Sequence, residues 1–595
     1  MKIGKKFPFF DEDSSDNSIA QTNTKFNDIS PIQMYCHGNT IFMSCKLKKK
    51  VNHSLLNEHV ILKIKNNEIL DEYKPFNKLI HSFKFMSIEG SHYFICCGMD
   101  FDTFTSSNNT KECLFMTSIK IFDVGVLLTK NLDNSSIQSF MIRQINILRN
   151  INDQNVFITG KNIVSGFEPI QNIISFSVSD ELDKCALGLD IGQIVLIRGV
   201  PNLIECSDKN IKIKSLDKYD TELHITNLIF TKISVSDSTL NYIDILYAST
   251  TKELFYFKIY NNKEELYLLN DDTGAYSGCI DHKGDKLLIA TSMDNQILEY
   301  YNLEMGPTNF FEGKKQICCY FKNYILFVVI EESTIMFAIY DKVNKFFCYH
   351  NQNYTKVLNV CTDNVESIFA FVEVNYSIKK IIKLVEKDNK YKFDIFYKRS
   401  FFDTALDYAK NLNFDKKKIS DIHKKHGDHI FRKGDYQKAI EQYILTINYL
   451  DPSVVIQKFL DGSKLDYLII YLEALHKENN FKFRSPNEMK DYTALLLNCY
   501  IKQKHIEKLK EFVDGKDIST QLVNVETAIE VCKDTDQIDL ALSIADKANM
   551  FESYIMLLID YKSNIFKLTL FILFNIYFKR KFYICNRIYE EGRFY

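Results

Sequence analysis

The chain has 595 residues, 46% of them hydrophobic and 25% charged, which is the composition of a soluble globular protein too long for one ordinary domain. A formal net charge of −2 excludes a global field that would draw the protein to nucleic acid or anionic lipid. The fifteen cysteines form no Cys-x-x-Cys and no signal peptide opens the sequence, so a reducing cytosolic setting without disulfides is expected.

Residues 1–28 form an N-terminal segment in which Phe7, Phe9 and Phe10 are expected to insert into the following domain as an opening strand. Asp11, Asp13 and Asp16 are spaced a little like a calcium loop. The glycine at the sixth place and the glutamate at the twelfth are missing, so a solvated, partly disordered stretch is expected instead.

From 29 to 396 the apolar pattern has the period of strands. Runs 186–189 and 193–197, 243–248 and 254–259, 285–291 and 296–301, and 324–330 and 334–340 each read as a hairpin across a short polar turn. Weaker hairpins lie around 33–70, 80–123 and 360–396. Seven hairpin units at a spacing of roughly 40–60 residues predict a seven-bladed β-propeller with loops longer than the minimal blade needs. The vicinal pairs Cys96-Cys97 and Cys318-Cys319 lie in apolar runs and are expected to be buried strand thiols. The clusters Lys48, Lys49, Lys50 and Lys416, Lys417, Lys418 read as solvated turns, with a lipid-headgroup contact as the alternative.

From 397 to 562 the period becomes helical. Phe402, Ala405, Leu406 and Ala409 form one stripe, and Tyr436, Ala439, Ile440, Tyr443, Ile444 and Ile447 the next. Asp435 stands at an N-cap position, and Asp451-Pro452 offers a cap followed by proline at the first helical place. Val455, Ile456, Phe459 and Leu460 make a further stripe ended by Gly462, and Leu465, Leu468, Ile469, Leu472 and Leu475 another. Leu540, Ala541, Ile544, Ala545 and Ala548, then Phe551, Tyr554, Ile555 and Leu558, continue the rhythm. Helices of about three turns cannot bury such stripes alone, so stacked pairs forming an α-solenoid are predicted.

One run here is specific: Gly427-Asp428, Lys433-Gly434-Asp435-Tyr436, Ala439, Gln442-Tyr443-Ile444, Asp451-Pro452-Ser453-Val454-Val455-Ile456 and Lys458-Phe459-Leu460-Asp461. Tyr471-Leu472, Leu475-His476, Thr493 to Tyr500, Lys508-Leu509, Glu511-Phe512 and Val525 to Ile529 follow in order. Together they resemble the start of the clathrin-heavy-chain-repeat-like solenoid of the vacuolar protein sorting-associated protein 11 family. Residues 179–199 and 284–329, with Gly306-Pro307 and Phe310-Phe311-Glu312-Gly313, are similar to propeller blades of the same family. The resemblance implies a non-catalytic class C core subunit of the HOPS and CORVET tethering complexes. Such a subunit acts in vesicle docking and fusion and in protein transport to late endosome, lysosome or vacuole. Implied partners are vacuolar protein sorting-associated protein 18 and other class C subunits, with small GTPases and SNAREs engaged indirectly. The implied location is cytoplasmic and peripheral on those membranes. The alternatives are a coat- or pore-type propeller–solenoid scaffold, an enzyme using a polar propeller channel, or a truncated product unable to tether.

No catalytic, cofactor-binding or metal-binding residues are expected. His423, His426 and His429 spread over ~120° of helix surface and lack a completing carboxylate, so they read as packing residues. Gly427 beside them reads as a place of close helix approach. Gly515-Lys516 is not followed by Ser or Thr and is no phosphate loop.

Residues 563–595 form an atypical apolar tail. Within 565–578 only Lys567, Thr569 and Asn575 are not apolar, which leaves no polar face for a solenoid helix and too short a run for a bilayer span. A translated non-coding stretch is the favoured reading, with a buried helix or a short anchor as alternatives. The family pattern implies more helix pairs and a RING domain beyond this point, and the sequence carries no Cys/His zinc framework, so a C-terminally truncated member without a ubiquitin-ligase role is expected.

Overall fold

The computed structural model describes residues 6–12 and 26–561 apart from short internal stretches, the longest being 124–139, 160–166, 235–241, 271–279, 478–485 and 516–524. The chain divides into two compact units, Met1–Lys387 and Asp388–Tyr595.

Among the described residues the first unit holds seven antiparallel sheets. Their first strands are Ile29–His37, Leu79–Ile88, Ile173–Val178, Asn227–Ser234, Ile280–Lys283, Lys314–Phe321 and Lys356–Thr362. Each lies against the next, and Lys356–Thr362 lies back against Ile29–His37, which closes a ring. This radial arrangement, a β-propeller, hides strand edges that an open antiparallel sheet would expose.

Strand periodicity builds the core. Along Leu254–Ile259 the buried Leu254 and Tyr256 enter one hydrophobic cluster, while Phe255, Phe257 and Ile259 enter another. Along Ile194–Arg198, Ile194 and Leu196 face one side and Val195 and Ile197 the other. Each sheet is thus sandwiched between two neighbours, and alternate side chains fill two separate inter-sheet cores. The four hairpins read most clearly in the sequence are present, with Leu187 opposite Val195, Tyr247 opposite Tyr256, Ile289 opposite Leu298 and Phe327 opposite Ala338. The turn at 294–295 lies outside the described residues.

The opening phenylalanines insert as expected but into the far end of the ring. Phe10–Glu12 pairs with Ile378–Glu386, so the N-terminal strand becomes the outer strand of the last sheet. Phe7 and Phe9 are buried, with ring centroids 4.5 and 5.3 Å from that of Phe346. The Glu12 carboxylate accepts hydrogen bonds from Tyr349 Oη (2.9 Å), Tyr354 Oη (2.6 Å) and Asn351 Nδ2 (3.0 Å). Asp11 is a strand residue opposite Val385, and Asp13 and Asp16 lie outside the described residues. Cys96, Cys97 and Cys318 are buried and Cys319 is half-buried, all in strands. The lysine run at 48–50 is not a turn but the end of strand Thr40–Val51.

Helices begin earlier than the change of period at residue 397. The last strand ends at Glu386, and α1 occupies Asn389–Lys398 because Asp388 accepts from the Tyr391 N–H and Phe393 and Phe396 share a buried face. There follow α2 (Phe402–Asn411), α3 (Lys416–Arg432), α4 (Tyr436–Ile444), α5 (Pro452–Phe459), α6 (Leu465–Lys477), α7 (Pro486–Lys502), α8 (Ile506–Gly515), α9 (Val525–Asp534), α10 (Ile538–Lys547) and α11 (Phe551–Tyr561). Neighbouring helices pack in sequence order, α3 on α4, α6 on α7, α9 on α10 and α10 on α11, as a solenoid requires.

Capping follows the sequence. Asp435 accepts from the Lys438 N–H, and Asp451 accepts from the Ser453 N–H with Pro452 at the first turn of α5. Two stripe assignments fail. Leu460 caps the end of α5 and is 55% exposed, and in α11 Leu557 is buried while Phe551 is 45% exposed. Both exposed residues sit at helix ends, where the turn that would carry them over the neighbouring helix is missing. The lysines at 416–418 are not a turn but the first turn of α3, capped by Asp415. The apolar tail and the expectation about it lie outside the described residues.

Candidate functional site

The residues that carry the solenoid resemblance converge on one polar node between α3, α4 and α5. Gly427 and Asp428 lie on α3, Tyr443 on α4 and Lys458 on α5. The Tyr443 hydroxyl donates to Asp428 Oδ1 over 2.5 Å, and Lys458 Nζ donates to the same oxygen and lies 3.2 Å from the hydroxyl. Burial opposes ionisation of Asp428, but hydrogen bonds from Lys458 and Tyr443 and the charges of Lys458 and Lys424 hold its carboxyl below the ordinary range. Burial, then the Asp428 carboxylate, pushes the Tyr443 phenol well up. The hydroxyl therefore stays protonated and acts as a fixed donor. Gly427 is what lets the ring approach: a Cβ there would stand 3.0 Å from Tyr443 Cε1 and Cζ. The node sets the register of three helices and contains no open, reactive group.

The three histidines part company beside it. His423 Nδ1 is 2.9 Å from Gln442 Oε1, while His426 stacks on Phe402 at 5.2 Å and His429 meets the same ring edge-on at 5.7 Å. Among the described residues no group of three His, Cys, Asp or Glu side chains is arranged to hold a metal ion.

A second node, missed by sequence reasoning, lies in the propeller. Glu299, 1% exposed, accepts from Tyr301 Oη (2.9 Å), Asn309 Nδ2 (3.3 Å), Tyr320 Oη (3.3 Å) and Lys342 Nζ. Burial disfavours the Lys342 cation, but hydrogen bonds to Glu299 and Tyr301 and the charge of Glu299 raise its pKa above the usual value. A Cβ on Gly306 would come within 2.4 Å of the Tyr301 ring, which explains the glycine of the Gly306-Pro307 pair. Glu299 stands on the third strand of its sheet, away from the ring of first strands, and links that sheet to the next. It is a saturated inter-sheet clasp. The only sequence signal was a lone glutamate inside an apolar strand.

Packing residues, caps and saturated polar nodes define a class, the β-propeller followed along the chain by an α-solenoid. The family model described as PEP5/VPS11 N-terminal matches residues 5–374, and that described as PEP5/VPS11 clathrin repeat matches residues 431–573. The chain belongs to the PEP5/VPS11 family. It is 27% identical over 490 residues to the vacuolar protein-sorting-associated protein 11 homolog of Arabidopsis thaliana, covering 80% of this chain and 49% of that one. It is 27% identical over 416 residues to the homolog of Homo sapiens (67% and 41%) and 35% identical over 179 residues to that of Caenorhabditis elegans (30% and 18%). The chain thus spans about half the length, or less, of these relatives. Among solved structures, the β-propeller domain of the Trilobed protease from Pyrococcus furiosus is similar at 10% identity and a TM-score of 0.34, over 60% of this chain and 95% of that one. Chaetomium thermophilum Raptor is similar at 11% identity and a TM-score of 0.35, over 60% and 28%.

Proposed function

We propose that this protein is a non-catalytic scaffold subunit of a vacuolar protein sorting assembly of the HOPS/CORVET type, acting in membrane tethering before vesicle fusion. The observation that carries the reading is the match of the PEP5/VPS11 N-terminal model over residues 5–374, which joins the propeller to a solenoid matched by the same family's repeat model. The saturated nodes at Asp428 and Glu299 support a role in which side chains fix shape and do not turn over substrate. In this reading association with late endosome, lysosome or vacuole is peripheral and made through the assembly; no helix among the described residues is long and apolar enough to cross a membrane. The partners in this reading are vacuolar protein sorting-associated protein 18 and other class C subunits, with small GTPases and SNAREs reached through them.

The test is affinity purification of the tagged full-length protein from its native cells. Recovery of class C core subunits is expected. Their consistent absence, or recovery of coat subunits in their place, would overturn the reading.

A further inference from the structure

Residues 388–433 hold twelve lysines and arginines against seven aspartates, in a chain whose net charge is −2. On α3 the side chains of Lys417, Lys418, Lys424, Lys425 and Arg432 fall within about 120° of one face and run for about 22 Å along the axis. All are exposed except Lys424, which is half-buried. Two acids share the arc, but Asp428 is already held by Lys458 and Tyr443, leaving Asp421. Aromatic rings on neighbouring segments support the cations: Lys418 Nζ stands 5.3 Å from the Phe414 ring centroid and Lys425 Nζ 4.6 Å from that of Tyr397. The local field is positive enough to act on a bystander, for burial and then Lys433 and Arg432 hold His429 below its ordinary pKa.

This charge is badly placed for helix stability. Three lysines fill the first turn of α3, at the positive end of the helix dipole, where acidic residues are favoured. Lys418 has its ring contact with Phe414, but at Lys416 and Lys417 the rule is broken without that gain, which points to a demand from outside the fold. The form of the face selects the partner. Its cations are spread along a helix and do not converge on one point, so they do not match a single phosphate group. No large hydrophobic residue of α3 is exposed, so a peptide or protein partner would find no apolar anchor. An anionic lipid surface needs neither.

We propose that the basic face of α3 is a contact surface for an anionic phospholipid membrane. It goes beyond the tethering reading, because the contact is direct and needs no other subunit.

The experiment is co-flotation of the purified full-length chain with phosphatidylcholine vesicles, with and without phosphatidylserine. Binding only with phosphatidylserine, weakened by salt, is expected. Each cation near an anionic surface contributes about fivefold, so the variant K417E/K418E/K424E/K425E should bind more than tenfold more weakly. The neutral triple variant K417S/K418S/K425S carries the test should the reversed one fail to fold. A propeller control, K46E/K48E/K252E/K356E, should bind as the unaltered protein does. The proposal is overturned if the unaltered chain ignores phosphatidylserine, if the folded α3 variant floats normally, or if the propeller control loses as much. Capture of soluble polyglutamate without vesicle binding would overturn it in favour of an acidic peptide. Each result is independent of which subunits co-purify, so this failure and that of the tethering reading are distinguishable.

Discussion

A methyl group on Gly427 would lie 3.0 Å from two carbons of the Tyr443 ring, which is fully buried and tied by its hydroxyl to Asp428. In an unconstrained helix Gly→Ala gains about 1 kcal/mol of propensity. Here the ring cannot swing aside without leaving Asp428, and overpacking costs about 1–3 kcal/mol. Gly427→Ala is therefore expected to be net destabilising by about 1 kcal/mol in chemical denaturation. In a Tyr443→Leu background the same change should cost less, and equal costs in both backgrounds would show that the ring is not the obstacle.

The Asp428 carboxyl has a depressed pKa in the folded state, so its contribution is present above the ordinary carboxylate range and is lost as pH falls through the folded value. Asp428→Asn should lower stability at pH 7 by about 2 kcal/mol, the scale of hydrogen bonds to a charged group. The gap between the two proteins should close as pH drops below about 4. Denaturation midpoints across that range check the sign: a gap that widens on acidification contradicts the node.

Ala439 is fully buried on α4 in the stripe that holds Ile440 and Tyr443. Replacing it with Phe inserts a ring into a filled helix–helix contact and should destabilise by roughly 1–3 kcal/mol. Unchanged thermal unfolding would show that the α4 stripe faces elsewhere.

Closure of the propeller by its first residues gives a prediction at the other end of the chain. Phe9 is fully buried with its ring edge-on to Phe346, and its backbone N–H donates to Cys348. Phe9→Ala should cost about 3–5 kcal/mol and raise protease sensitivity of the 346–354 segment that Glu12 also holds. Glu12→Gln weakens three hydrogen bonds to 349–354 and should produce a smaller loss of the same kind. Unaltered proteolysis in both variants would separate the N-terminal strand from closure.

Local pattern determined much of this protein. The short apolar run 254–259 between polar turns specified a strand, and the spacing of Leu465, Leu468, Ile469, Leu472 and Leu475 specified a helix face, because burial repeats with the backbone period. Asp435 and Asp451 announced their helices because a cap is satisfied within three residues. The start of α1 was less visible, since YKFDIFY suits either period and the cap at Asp388 decided it. Tertiary structure alone decided the partners at a distance. Phe10 pairs with Glu386, and Asp428 meets Tyr443 and Lys458 from fifteen and thirty residues away. No local rule encodes such meetings, which depend on where a ring of sheets closes and how three helices stack. The basic face of α3 is not of that kind: helix periodicity alone sets 417, 424, 425 and 432 on one side, and reading 416–418 as a turn is what concealed it.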